Sequence, residues 1–93
     1  MSSSSVPSRH DESLPRILVV DDEENVLAGL RRQLSMDYEV VTANSGFAGL
    51  RVVRDEGPFA VVISDMQMPR MNGAWFLSRV HENFPRTVRI LLT

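Results

Sequence analysis

Two stretches decide the fold: Ile17-Leu18-Val19-Val20-Asp21-Asp22, and Phe59-Ala60-Val61-Val62-Ile63-Ser64-Asp65. Each is a continuous, β-branched apolar run with no polar alternation, as expected of a strand covered on both faces of a parallel sheet. Each ends in acid. If the runs are neighbouring parallel strands, Asp21, Asp22 and Asp65 meet at one sheet edge. Three carboxylates so crowded repel, and a fold that keeps them must pair them, protonate them or hold a cation between them.

The segments around these runs supply the rest of a βα alternation. Asp22 to Leu34 has acids at its start, Val26, Leu27, Leu30 and Leu34 at helical spacing, and Arg31 and Arg32 late, which suits the helix dipole. Tyr38 to Thr42 reads as a second strand. Asn44 or Ser45 can cap the helix that follows, whose face carries Phe47, Leu50 and Val53, and Gly57-Pro58 stops it. After Phe59–Ser64 comes a loop over 66–73. A helix over 74–84 turns Phe76, Leu77, Val80 and Phe84 inward and ends at Pro85. Val88 to Leu92 is a fourth strand, with Thr93 at its end. The order β-α-β-α-β-α-β predicts a doubly wound α/β sheet with its ligand site at the carboxyl ends of the strands, where Asp21, Asp22, Asp65 and Thr93 all fall.

Composition narrows the functional classes. The chain has 93 residues, 43% of them hydrophobic, which allows one domain. No apolar run approaches the roughly 18 residues of a membrane span, so no membrane partner and a cytoplasmic location are expected. With no cysteine there is no disulfide framework or thiol chemistry. The net charge is −2 and the basic residues are scattered, so no nucleic-acid footprint is present. All ten basic residues are arginine; there is no lysine. Met1 to Pro15, with its serine run, reads as a flexible tail, and His10 and His81 as solvated. Met66, Met68 and Met71 read as loop packing, Trp75 as a partly buried packing residue, Arg70 as solvated, and Glu23 and Glu24 as first-turn helix charges.

Four segments together resemble the receiver domain of bacterial two-component response regulators: Ile17-Leu18-Val19-Val20-Asp21-Asp22-Glu23, Val62-Ile63-Ser64-Asp65-Met66-Gln67-Met68-Pro69, Met71-Asn72-Gly73 and Leu91-Leu92-Thr93. The resemblance spans residues 16–93. It implies a flavodoxin-like (CheY-like) sheet and a site in which Asp65 is the phosphoacceptor for a sensor histidine kinase. It further implies Mg²⁺ held directly by Asp22, Asp65 and the backbone carbonyl of Gln67, with Asp21 acting through a metal-bound water. Thr93 resembles the family's switch hydroxyl, and Pro69 and Gly73 its post-acceptor turn. Phosphoryl transfer needs mainly positioning and charge neutralisation, so the roles suit the residues.

The family's fifth strand carries a lysine, which this lysine-free chain lacks, and an aromatic switch residue. The expectation is therefore a partial receiver ending after its fourth strand, the N-terminal part of a longer regulator with an output domain. Phe59–Pro69 with Thr87–Thr93 is most similar to receivers joined to HD-GYP cyclic-dinucleotide phosphodiesterases. An exposed fourth strand would favour a homodimer or a domain swap. Two alternatives stand beside this reading. One is a degenerate receiver that only binds protein. The other is a Mg²⁺-dependent aspartyl-phosphate phosphatase of the haloacid-dehalogenase type, in which an acid would stand where Gln67 does.

Overall fold

The computed structural model describes residues 14–93. The tail expected up to Pro15 lies, through residue 13 and including His10, outside the described residues. Seven elements follow in the expected alternation: β1 (Arg16–Val20), α1 (Glu24–Leu34), β2 (Glu39–Ala43), α2 (Gly46–Glu56), β3 (Val61–Asp65), α3 (Gly73–Asn83) and β4 (Val88–Leu92). The four strands form one parallel sheet in the order β2-β1-β3-β4.

Period-two geometry divides β1 between two cores. Leu18 and Val20 face a cluster with Val53, Val62, Phe76, Leu77 and Val80, beneath α2 and α3. Ile17 and Val19 face a second cluster with Leu27 and Val40, beneath α1. A strand buried on both faces has no room for polar alternation, which is why the run is continuous. Phe76 is fully buried, and the ring comes so close to α2 that a Cβ at Gly49 would stand 2.9 Å from its edge. Glycine at 49 is thus what lets α2 lie against α3.

The ends of the helices carry their expected signals with small shifts. Ser45, not Asn44, caps α2, its hydroxyl accepting the Ala48 N–H at 3.0 Å. Asn72 caps α3, its side-chain oxygen accepting from the Trp75 N–H at 2.8 Å. Helix α1 begins two residues later than expected, because Asp21 and Asp22 are spent on the turn that leaves β1. One inward assignment fails. Phe47, placed by spacing with Leu50 and Val53, is 56% exposed, because α2 turns Gly46, Gly49 and Val53 to the core and Phe47 stands about 100° around the helix from Gly46. Trp75 is 48% exposed, partly buried as expected, and Met68 and Met71 are buried in the core as expected of loop packing.

Strand β4 pairs with β3 along one edge only, and Val88, Ile90, Leu91 and Leu92 are all exposed. Beside it Thr87 is buried, its hydroxyl donating to the Phe59 carbonyl at 2.8 Å. No helix among the described residues is long and apolar enough to cross a membrane.

The central place of Phe76 gives a direct test. Phe76→Ala removes a fully buried ring that bridges α2, α3 and β1, and should cost about 3–5 kcal/mol in a denaturant titration. A loss below about 1 kcal/mol would mean that the two helices are not held through this ring.

Candidate phosphoacceptor site

The site grows from the register of three strands. Val20 is level with Ser64 on β3 and with Ala43 on β2, so the next residues, Asp21 and Asp65, emerge side by side at the carboxyl edge of the sheet. The Asp21 N–H continues the ladder to the Ala43 carbonyl at 3.2 Å. Asp65 is paired with Leu92 of β4, and Thr93 follows one residue beyond. Carboxylate oxygens of Asp21, Asp22 and Asp65 lie within 4.8 Å of one another. The three residues differ in exposure: Asp21 is buried, Asp65 half-buried and Asp22 exposed.

Asp21 and Asp65 are held by local hydrogen bonds. Asp21 Oδ1 accepts the Glu23 N–H at 2.9 Å, which closes the turn into α1. Ser64, fully buried, donates its hydroxyl to the Asp65 carbonyl at 2.9 Å. After Asp65 the chain turns through Met66–Asn72 and returns at once: the Gly73 N–H donates to the Met66 carbonyl at 2.9 Å. A Cβ at Gly73 would collide with the Asp65 carbonyl oxygen and stand 2.8 Å from Leu91 Cδ1. Close approach, rather than backbone dihedral freedom, is what requires glycine here. Burial pushes the Asp21 carboxyl above its ordinary value of 3.8, and the neighbouring charges of Asp65 and Asp22 push the same way, against the stabilising Glu23 N–H.

The sequence-predicted residues therefore divide. Asp21, Asp22 and Asp65 are brought together. Gln67 lies exposed in the loop two residues beyond Asp65, and Thr93 is exposed at the end of the chain, past β4. One supporting residue was not foreseen: Asn72, which caps α3, was legible as an Asn-Gly before an apolar helical pattern. Thr87 gave no signal, and its bond to the Phe59 carbonyl lies at the opposite, amino end of β3 and β4, away from the acids. The arrangement, three oxygen donors of negative charge at the open end of a parallel sheet, suits a hard cation and a phosphoryl group.

Comparison with known proteins agrees with this geometry. The response regulator receiver domain family matches residues 17–93. The hydrogenase transcriptional regulatory protein HoxA of Cupriavidus necator is 36% identical over 77 residues, covering 83% of this chain but 16% of its own length. The chain thus spans about a sixth of that relative. Among solved structures, the signal receiver domain of an HD domain-containing protein from Pseudomonas fluorescens superposes with a TM-score of 0.80 at 36% identity, over 86% of this chain and 64% of that one. The response regulator TrrA of Thermotoga maritima, solved in complex with Mg²⁺-BeF, gives a TM-score of 0.80 at 34% identity, over 86% of this chain and 70% of that one. With a sheet order, an acidic edge and a family match over the same residues, the chain belongs to the response regulator receiver domains of two-component signalling.

Proposed function

We propose that Asp65 accepts a phosphoryl group from the phosphohistidine of a sensor kinase, and that the change in charge controls an output domain in a longer parent. The observation that carries the reading is the meeting of the Asp21, Asp22 and Asp65 carboxylates within 4.8 Å at the ends of β1 and β3. In the transfer an Asp65 carboxylate oxygen attacks phosphorus, the P–N bond breaks as the O–P bond forms, and the released imidazole nitrogen keeps the electron pair and takes a proton. Thr93 would donate its hydroxyl to the new phosphoryl oxygens, a reading supported by its position one residue past Leu92, the partner of Asp65.

The donor set fits Mg²⁺. Oxygens on one such ion lie about 3–4 Å apart, given bonds of about 2.0–2.1 Å, so a cluster within 4.8 Å closes with a small adjustment or one intervening water. Asp22 and Asp65 would hold the ion directly with the Gln67 carbonyl, and Asp21 through water. When bound it supplies positive charge against the phosphoryl oxygens. Asp21, buried, bears the repulsion of Asp65 and Asp22 that the ion would relieve. The HD-domain relative favours an output of HD-GYP type. The exposed apolar edge of β4 favours pairing with a second copy, as a dimer or a swap.

Three measurements test these points. Incubation with acetyl phosphate and Mg²⁺, read by intact mass, should add one phosphoryl group to the parent chain and none to Asp65→Asn. Gain by the variant as well would refute the assignment.

Asp21→Asn should raise the melting temperature of the metal-free protein by a few degrees at neutral pH, since the amide keeps an acceptor for the Glu23 N–H and sheds a repelled charge. The folded pKa lies above 3.8, so the Asp21 contribution is most favourable below 3.8 and is lost as pH rises through the folded value. The advantage of the variant should therefore be absent at the acid end, grow with rising pH, and shrink on adding Mg²⁺, which stabilises only the parent strongly. A variant less stable than the parent at neutral pH without metal would contradict the crowding argument. Sedimentation at rising concentration should show a dimer or larger species, and a monomer throughout would exclude association through β4.

A further inference from the structure

The outer face of α2 and α3 is unlike the rest of the surface. Between the two helices runs a groove of about 640 Å³, floored by Leu50, Val53, Val80 and Phe84 and rimmed by Arg51, Arg54 and Arg79. Phe47 closes one end and also borders a second hollow of about 260 Å³, formed with Arg70, Asn72 and Trp75. Phe47 is 56% exposed and Trp75 48% exposed, so two aromatic rings stand open to solvent on one continuous surface. The Arg79 guanidinium lies over the Trp75 ring at 5.1 Å. Arg70 holds a left-handed backbone, φ 70°, a conformation that costs a non-glycine residue of order 1 kcal/mol.

Charge is as uneven as polarity. Among the described residues four arginines line the two hollows and no carboxylate does, in a chain whose net charge is −2. The carboxylates nearest the rim, Asp55 on Arg54 and Glu82 on Arg79, form exposed ion pairs that contribute little and exchange readily.

We propose that the α2–α3 face is a docking surface for an acidic amphipathic helix of a partner protein. The groove is bounded by two helices of 11 residues, each about 16 Å long, which matches about three turns of a third helix. Apolar side chains of that helix at i, i+3, i+4 and i+7 would cover the aliphatic floor, with Phe47 and Trp75 as aromatic anchors. Its flanking carboxylates would meet Arg51, Arg54, Arg70 and Arg79, which match carboxylates in fork geometry. Self-pairing through this face is disfavoured, since a two-fold axis would set arginine against arginine. A nucleic acid would satisfy the arginines and leave the aliphatic floor uncovered. The proposal does not depend on the chemistry of Asp65.

Trp75 is the only tryptophan, so its emission reports occupancy directly. The full chain is titrated with a tryptophan-free peptide of about sixteen residues, leucine along one helical face and glutamate elsewhere. The parallel probes are the same peptide with lysine for glutamate, and oligothymidylate. The acidic peptide should shift Trp75 emission saturably, and Phe47→Ala or the double variant Arg51→Glu/Arg79→Glu should weaken binding at least tenfold while the circular dichroism is unchanged. Phe47, Arg51 and Arg79 are all exposed, and Arg51→Gln/Arg79→Gln serves as a milder pair should the double variant misfold. No saturable shift, an equal response to the lysine peptide, unchanged binding by the charge variants, or tighter binding of oligothymidylate would each overturn the proposal.

Discussion

Burial of β1 on both faces is the constraint on which the rest depends. A central strand with Ile17 and Val19 turned to one helical layer and Leu18 and Val20 to the other cannot stop gradually. It must pass from full burial to solvent within a residue or two, and Asp21 and Asp22 mark that passage. Because β3 runs parallel beside it in register, fully buried on one face and partly on the other, it ends at the same level and delivers Asp65 beside them. The acidic edge is thus a consequence of how the core closes. The three carboxylates are brought together by two strands in register and a loop that leaves promptly.

That loop explains why the site is stiff where it is charged. Ser64 donates its hydroxyl to the Asp65 carbonyl at 2.9 Å, and Gly73, lacking a Cβ, lets the returning chain pass close against that carbonyl. The backbone of Asp65 is thus tied while its side chain emerges at the acidic edge. Electrostatic repulsion acts in the opposite sense, raising Asp21 and favouring a proton or a cation. Packing holds the three acids together and charge pushes them apart, so occupancy by a cation and folding are coupled through the same residues.

Much of this was legible in the chain itself. Continuous apolar runs ending in acid gave β1 and β3, and helical spacing with caps gave the three helices to within one or two residues. The three carboxylates followed from parallel neighbours. What escaped has a common cause. Phe47 stands three residues before Leu50, but the face that α2 buries runs through Gly46, Gly49 and Val53, and two of those are glycines that an apolar pattern does not mark. Thr87 donates to Phe59, a residue brought beside it only by the fold. Gly49 and Gly73 read as ordinary helix and turn glycines until the Phe76 ring and the Asp65 carbonyl are placed against them.

The misplacement of Phe47 also separates two uses of apolar side chains. A ring turned out from α2 gains nothing from the core, and in a monomer a contiguous apolar surface of this kind is normally avoided. Here it adjoins Trp75 and an arginine rim without a carboxylate in either hollow. Core packing does not require that combination, and solvation opposes it. Met71 lies beneath, buried and in contact range of Gly46, so the floor near Phe47 is well packed and the ring is not displaced for want of space. The surface is therefore built on a sound core rather than left over from a poor one, and its aromatic and cationic groups are arranged for contact with something outside the domain.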